Sequence, residues 1–274
     1  MTIISEFMAT SSATIGVFDS GVGGLSVLHH IRRTLPEARL IYVADSAHVP
    51  YGDKPATYIE QRAHTLTRFL ITQGADAIVI ACNTATAAAA ASLRAQFSLP
   101  IIGMEPAVKP AVAVSKSGVV GVLATTGTLA SARFAALLER YGEEVTIITQ
   151  SCPGLVEQVE QGDLSSAKTR ELIARYTAPL LAQGADTLIL GCTHYPFLAA
   201  LIREVIGAKI TLVDTGAAVA RQLQHRLPIE LGSAVGRAGS VQLYSSGNLA
   251  HTRTTIAALW PDSLDLQALP SEYC

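Results

Sequence analysis

Two cysteines, Cys82 and Cys192, end two copies of one short pattern. Segment 73–82 reads Gln-Gly-Ala-Asp-Ala-Ile-Val-Ile-Ala-Cys, and segment 183–192 reads Gln-Gly-Ala-Asp-Thr-Leu-Ile-Leu-Gly-Cys. Each copy reads as a helix end, a glycine cap, a buried strand and a cysteine at the strand's mouth. A threonine follows within two residues in both, as Cys82-Asn83-Thr84 and Cys192-Thr193-His194. The next residues open a helix, whose N-terminal amides and dipole stabilise a thiolate and lower its pKa. Asn83, Thr84 and Thr193 add polar groups there that suit a substrate carboxylate as well. A lone cysteine is ordinarily a small core residue, and Cys152 and Cys274 are read that way. Matched positions set Cys82 and Cys192 apart. Two thiols from related halves suit a racemisation, in which one group takes a proton from one face of a carbon and another returns one to the opposite face.

The elements that must position these thiols alternate along the chain. Strands are expected at 15–19, 40–45, 77–81, 100–103, 118–124, 145–150, 187–191, 210–214 and 241–245. Helices are expected from the turn at 21–24 to about residue 35, then over 57–73, 84–96, 128–141, 166–183, after 191 through 206, and near 217–226 and 249–259. Such alternation gives an α/β fold with parallel sheets covered by helices on both faces. The repeat divides it into two similar parallel-sheet α/β domains. Ligands bind beyond the carboxyl ends of such strands, and both cysteines lie there.

Composition narrows the function further. The 274 residues are 49% hydrophobic and 15% charged, enough for a substantial core, and the formal net charge is −2. Mean hydropathy is +0.35, yet the longest apolar stretches carry Asp76 and Asn83, or Glu105, Lys109 and Lys116, so no membrane-spanning helix is expected. No Lys/Arg run supports a primary nucleic-acid role. Four cysteines without a CxxC pair or zinc spacing predict neither a metal site nor a disulfide framework. Residues 1–14 lack the features of a signal peptide, and Glu6-Phe7 before Met8 reads as a cloning remnant with Met8 the natural start. A cytoplasmic chain with reduced thiols is expected.

Asp19-Ser20-Gly-Val-Gly-Gly-Leu-Ser, Val49-Pro50-Tyr51-Gly52 and Cys82-Asn83-Thr84 occur in that order. They are followed by Gly121-Val-Leu-Ala-Thr-Thr126-Gly127-Thr128, Gly191-Cys192-Thr193-His194-Tyr195-Pro196 and Val213-Asp214-Thr215. Together these motifs resemble the glutamate racemases of the aspartate/glutamate racemase family. The resemblance implies a site in the cleft between two domains, 1–105 plus 214–274 and 106–213. It implies L- and D-glutamate as substrate and product, D-glutamate for peptidoglycan, and no pyridoxal phosphate, metal or nucleotide. A homodimer is one assembly it allows. Cys82 and Cys192 would each serve one face of the α-carbon. Asp19 would support a thiol or the substrate ammonium, or cap the next helix, with Ser20 and its glycines letting the backbone approach a ligand. His194 would assist Cys192 or pair with substrate. Glu160 resembles the family's acidic position near the second thiol, with Glu157 close by and a solvated helix face the alternative. Pro50, Tyr51 and Gly52 would form a loop whose amides hold the side-chain carboxylate. Asn83, Thr84 and Thr193 would hold the α-carboxylate and ammonium. Thr126 and Thr128 open a helix, where either capping it or touching substrate fits.

Three other readings use the same residues. An aspartate racemase would differ in pocket shape. A thiol redox or metal-binding protein would use Cys82 and Cys192 without CxxC or a ligand cluster. A non-catalytic binding module would need neither cysteine.

Overall fold

The computed structural model describes residues 12–228, 239–262 and 264–274. The expected remnant before Met8 lies outside them. Two parallel sheets carry the fold. The first contains β1 (Thr14–Asp19), β2 (Arg39–Ala44), β3 (Ala77–Ile80), β4 (Ile101–Ile102), β9 (Val241–Ser245) and β10 (Asp265–Ala268), in the order β10-β9-β2-β1-β3-β4. The second contains β5 (Val119–Ala124), β6 (Thr146–Ser151), β7 (Thr187–Leu190) and β8 (Thr211–Val213), in the order β6-β5-β7-β8. The order β2-β1-β3-β4 thus recurs as β6-β5-β7-β8, with parallel pairing throughout.

Alternation along β1 shows why these runs form sheets covered on both faces. Ile15 and Val17 enter one core, with α1 (Leu25–Thr34), α10 (Gly216–Arg226) and α11 (Leu249–Leu259). Phe18 enters the other, with α2 (Ala56–Thr72) and α3 (Asn83–Gln96). In α2, Ile59, Ala63, Leu66 and Leu70 recur at helical spacing and are all buried. The second sheet is covered by α4 (Val108–Val114) and α6 (Ala132–Tyr141) on one side. On the other lie α7 (Leu155–Glu160), α8 (Ala167–Ala182) and α9 (Ala199–Ile206).

The repeated Gly-Ala-Asp does the same work in both halves. Gly74 and Gly184 end α2 and α8 at φ +83° and +87°, a conformation that glycine adopts without the Cβ penalty. Asp76 accepts the Thr14 amide at 2.8 Å, where β1 begins. Asp186 accepts the Lys116 and Ser117 amides, at 2.6 and 2.7 Å, just before β5.

Some local expectations are corrected. The helix expected over 128–141 is two: α5 (Thr126–Leu129) and α6, which Ser131 caps by accepting the Phe134 amide. The helix after residue 191 starts as a 3₁₀ turn at Tyr195–Leu198, where Pro196 blocks regular helix bonding, before α9. α4, α7 and β10 were not expected. Cys152 is buried as a core cysteine should be, but Cys274 is exposed.

Candidate active site

Cys82 follows β3 and Cys192 follows β7, so each half presents one thiol at the same sheet end. Both line one cavity of about 280 Å³, part of it open to solvent. Ser20, Pro50, Tyr51, Gly52, Asn83, Thr84, Thr193 and His194 line it too. Cys82 and Cys192 are only 5% and 7% exposed, so little solvent reaches the thiols. The cleft is therefore nearly closed.

The two thiols have unlike surroundings. Cys82 Sγ caps α3 and accepts the Ala85 amide at 3.4 Å. Burial, and next the Asp19 carboxylate, nonetheless push this thiol well above its usual range. The helix N-terminus alone would lower it, so the sequence expectation is overturned at Cys82 by the desolvation it left out. Cys192 Sγ lies 3.6 Å from His194 Nδ1. His194 Nε2 lies 2.7 Å from Glu160 Oε1, with the histidine side chain 2% exposed. Burial works to lower the His194 pKa, but bonding to Cys192 and Glu160 outweighs it and holds the ring well above its ordinary value. An imidazolium held beside Cys192 stabilises negative charge that develops on the sulfur.

Asp19 and Glu160 stand behind the cavity wall. Asp19 accepts the Ser20 and Gly24 amides, both at 2.7 Å, and the Thr193 hydroxyl at 3.3 Å. It thus tethers the turn before α1 and also reaches the other half. Burial raises its pKa, against the lowering effect of His194. Glu160 accepts the Val22 amide at 2.7 Å. The glycines between these contacts admit protein side chains: a Cβ on Gly21 would fall on the Glu160 carboxylate, and one on Gly23 on the His194 ring. Of the two acids weighed in the sequence, Glu160 touches His194, whereas Glu157 borders a neighbouring hollow.

Asn83 is 4% exposed, and neither polar atom of its amide has a hydrogen-bond partner. A buried amide without partners is costly, and this one borders the cavity. Thr84 Oγ1 lies 2.9 Å from Thr125 Oγ1 and 3.2 Å from Thr128 Oγ1, joining hydroxyls of both halves. Thr126 is not brought to the cavity; its hydroxyl pairs with Ser151 at 2.7 Å in the adjoining hollow. Thr125 takes that place, lining the cavity and capping α5 by accepting the Thr128 amide. Sequence reasoning missed Thr125, Val156 and Gly191. Thr125 could have been found, because it follows β5 as Ser20 follows β1. Val156 carries no local signal. Among the described residues, no three His, Cys, Asp or Glu side chains group as metal ligands. Nor is any described helix long and apolar enough to cross a membrane.

Comparison with known proteins places this geometry in context. The chain is 57% identical to a glutamate racemase of Methylococcus capsulatus over 267 residues, covering 97% of this chain and 98% of the relative. It is 55% identical to a glutamate racemase of Pseudomonas aeruginosa over 260 residues, covering 94% and 98%. Among solved structures, a glutamate racemase isoform from Bacillus anthracis superposes with a TM-score of 0.84 at 30% identity, covering 95% of this chain and 98% of that one. An Escherichia coli glutamate racemase in complex with L-glutamate and the activator UDP-MurNAc-ala superposes at 0.83 and 32% identity, covering 94% and 98%. The family model for Asp/Glu/Hydantoin racemase matches residues 15–223. With two parallel α/β domains and this match over most of its length, the chain belongs to the Asp/Glu/Hydantoin racemase family.

Proposed function

We propose that this racemase interconverts L- and D-glutamate without a cofactor, with Cys82 and Cys192 as its acid/base pair. The observation that carries the proposal is the pair of thiols, on matching strands of two halves, lining one nearly closed cavity beside the unpartnered Asn83 amide. One thiolate removes the α-proton while the opposite thiol donates its own to the other face. The reverse reaction exchanges their roles. On this reading the domains are 1–105 plus 214–274 and 106–213, with the reaction between them.

The α-proton is a very weak acid, so the site must stabilise a carbanion-like state directly. Asn83, Thr84 and Thr193 hold the α-carboxylate and ammonium, satisfying the Asn83 amide. Ser20 lines the same cavity. Amides of the Pro50–Tyr51–Gly52 loop hold the side-chain carboxylate. Preorganised donors in a site closed to water are what such a transition state needs. Asp19 acts on Cys82, and Glu160 acts on Cys192 through His194. The glutamate assignment is supported by relatives of that name at 55–58% identity, and D-glutamate for peptidoglycan follows from the same likeness. The experiment is incubation of the protein with L-glutamate in D2O, without added cofactor, following optical rotation and the α-proton NMR signal. Loss of rotation with α-deuteration is expected. Exchange with L-aspartate but not L-glutamate would keep the mechanism and change the substrate, and no exchange with either would end the proposal.

A further inference from the structure

We infer that Asp45 and Arg62 position the substrate-binding loop through the Tyr51 hydroxyl, an inference that rests on the role proposed for that loop. Asp45 directly follows β2, and its amide donates to the Asp19 carbonyl at 3.0 Å, so its place is fixed by the strand that carries Asp19. Its side chain is wholly buried. Arg62, from α2, grips it in a fork, with Nε 2.9 Å from Oδ2 and Nη2 2.7 Å from Oδ1. The Tyr51 hydroxyl donates to the same Oδ2. Arg62 Nη2 also donates to the Tyr273 carbonyl at 2.9 Å, tying the C-terminal turn to the cluster.

Neither Asp45 nor Arg62 lines the cavity, but Tyr51 and Gly52 do. Packing alone gives a poor account of this pair, because a buried ion pair seldom improves on apolar residues of the same shape. What it supplies is a rigid two-point fixture with one carboxylate oxygen shared by the loop. The loop has little slack: a Cβ on Gly52 would lie 2.9 Å from Thr125 Cβ, across the cleft. A shift at Tyr51 therefore displaces the amides that face the substrate. Asp45 and Arg62 are positioning residues, acting on substrate only through Tyr51.

The test measures KM and kcat for L-glutamate, with melting temperature, in Tyr51→Phe, Arg62→Lys and the double variant. Tyr51→Phe keeps the ion pair and removes only its link to the loop, so it serves even if Arg62→Lys folds poorly. Each single change is expected to raise KM about tenfold, with a much smaller change in kcat, and the double variant should add nothing further. A merely structural pair would lower the melting temperature and leave KM in place. A Tyr51→Phe enzyme with KM within about twofold of the parent, or a double variant whose effects multiply, overturns the inference. A parent protein inactive on L-glutamate overturns the functional reading instead, and this inference with it.

Discussion

At the scale of single residues, the two thiols match in position and differ in company. Asp19 ends β1, where its counterpart at the end of β5 is Ala124. Cys82 thus faces a carboxylate, and Cys192 faces the His194–Glu160 pair. On the proposed mechanism each thiol serves only one face of the α-carbon, so neither replaces the other. Cys82→Ala and Cys192→Ala should each lower racemisation by about 10³-fold or more, with an unchanged circular dichroism spectrum. Near-normal turnover in either variant would rule out the two-thiol mechanism. His194 adds a pH dependence. Its folded pKa is raised, so the stability from its pairing is complete below the unfolded imidazole value and is lost as pH rises through the raised folded value. Glu160→Gln removes one cause of that elevation. The NMR titration of the His194 ring should move to lower pH in this variant, and the alkaline loss of kcat/KM should move with it. An unmoved ring titration would show that Glu160 does not set the histidine's charge.

At the scale of elements, glycines of one chain do two different jobs. Gly23 gives room: a Cβ there would meet the His194 ring across the cleft. Gly74 gives backbone freedom, at φ +83° with nothing within 4 Å of an added Cβ. Gly23→Ala should therefore lower kcat/KM by about 100-fold through a displaced His194. Gly74→Ala should cost about 1–2 kcal/mol in denaturant unfolding and leave kcat/KM unchanged. If Gly74→Ala lost activity and Gly23→Ala did not, the two roles would be reversed. The same distinction sets what the sequence can reveal. The repeat was legible because Gly-Ala-Asp meets the same local demands at β3 and β7, and its cysteines came with it. The β10 segment was illegible because only Leu266 of its four residues is buried, leaving no alternation to read. Thr125 escaped notice beside Thr126 because which of two adjacent hydroxyls turns inward depends on where α5 starts. The Gly21 and Gly23 requirement was visible as a motif but the side chains that fill that space were not, since they come from residues more than 130 positions away.

At the scale of the whole molecule, the cleft is shut by bonds between the halves. Val22 donates to Glu160, the Ser26 hydroxyl donates to the Thr193 carbonyl at 2.8 Å, and the Thr255 hydroxyl donates to the Glu160 carbonyl at 2.8 Å. With Cys82 and Cys192 only 5% and 7% exposed, parting of the halves is the expected route for substrate to enter and product to leave. Closure then does chemical work, because the Glu160 carboxylate that holds His194 also accepts the Val22 amide from the other half. Closing the cleft adds the Val22 amide to the Glu160 carboxylate that holds His194. Two neighbouring amides distinguish this motion from general loosening. The Val22 amide is bonded across the cleft and is freed by opening, whereas the Gly24 amide is bonded to Asp19 within its own half and is not. Saturating glutamate should slow hydrogen exchange at Val22 much more than at Gly24. Equal slowing at both would mean that ligand stabilises the molecule as a whole, and no slowing at Val22 would mean that the halves do not separate along this seam.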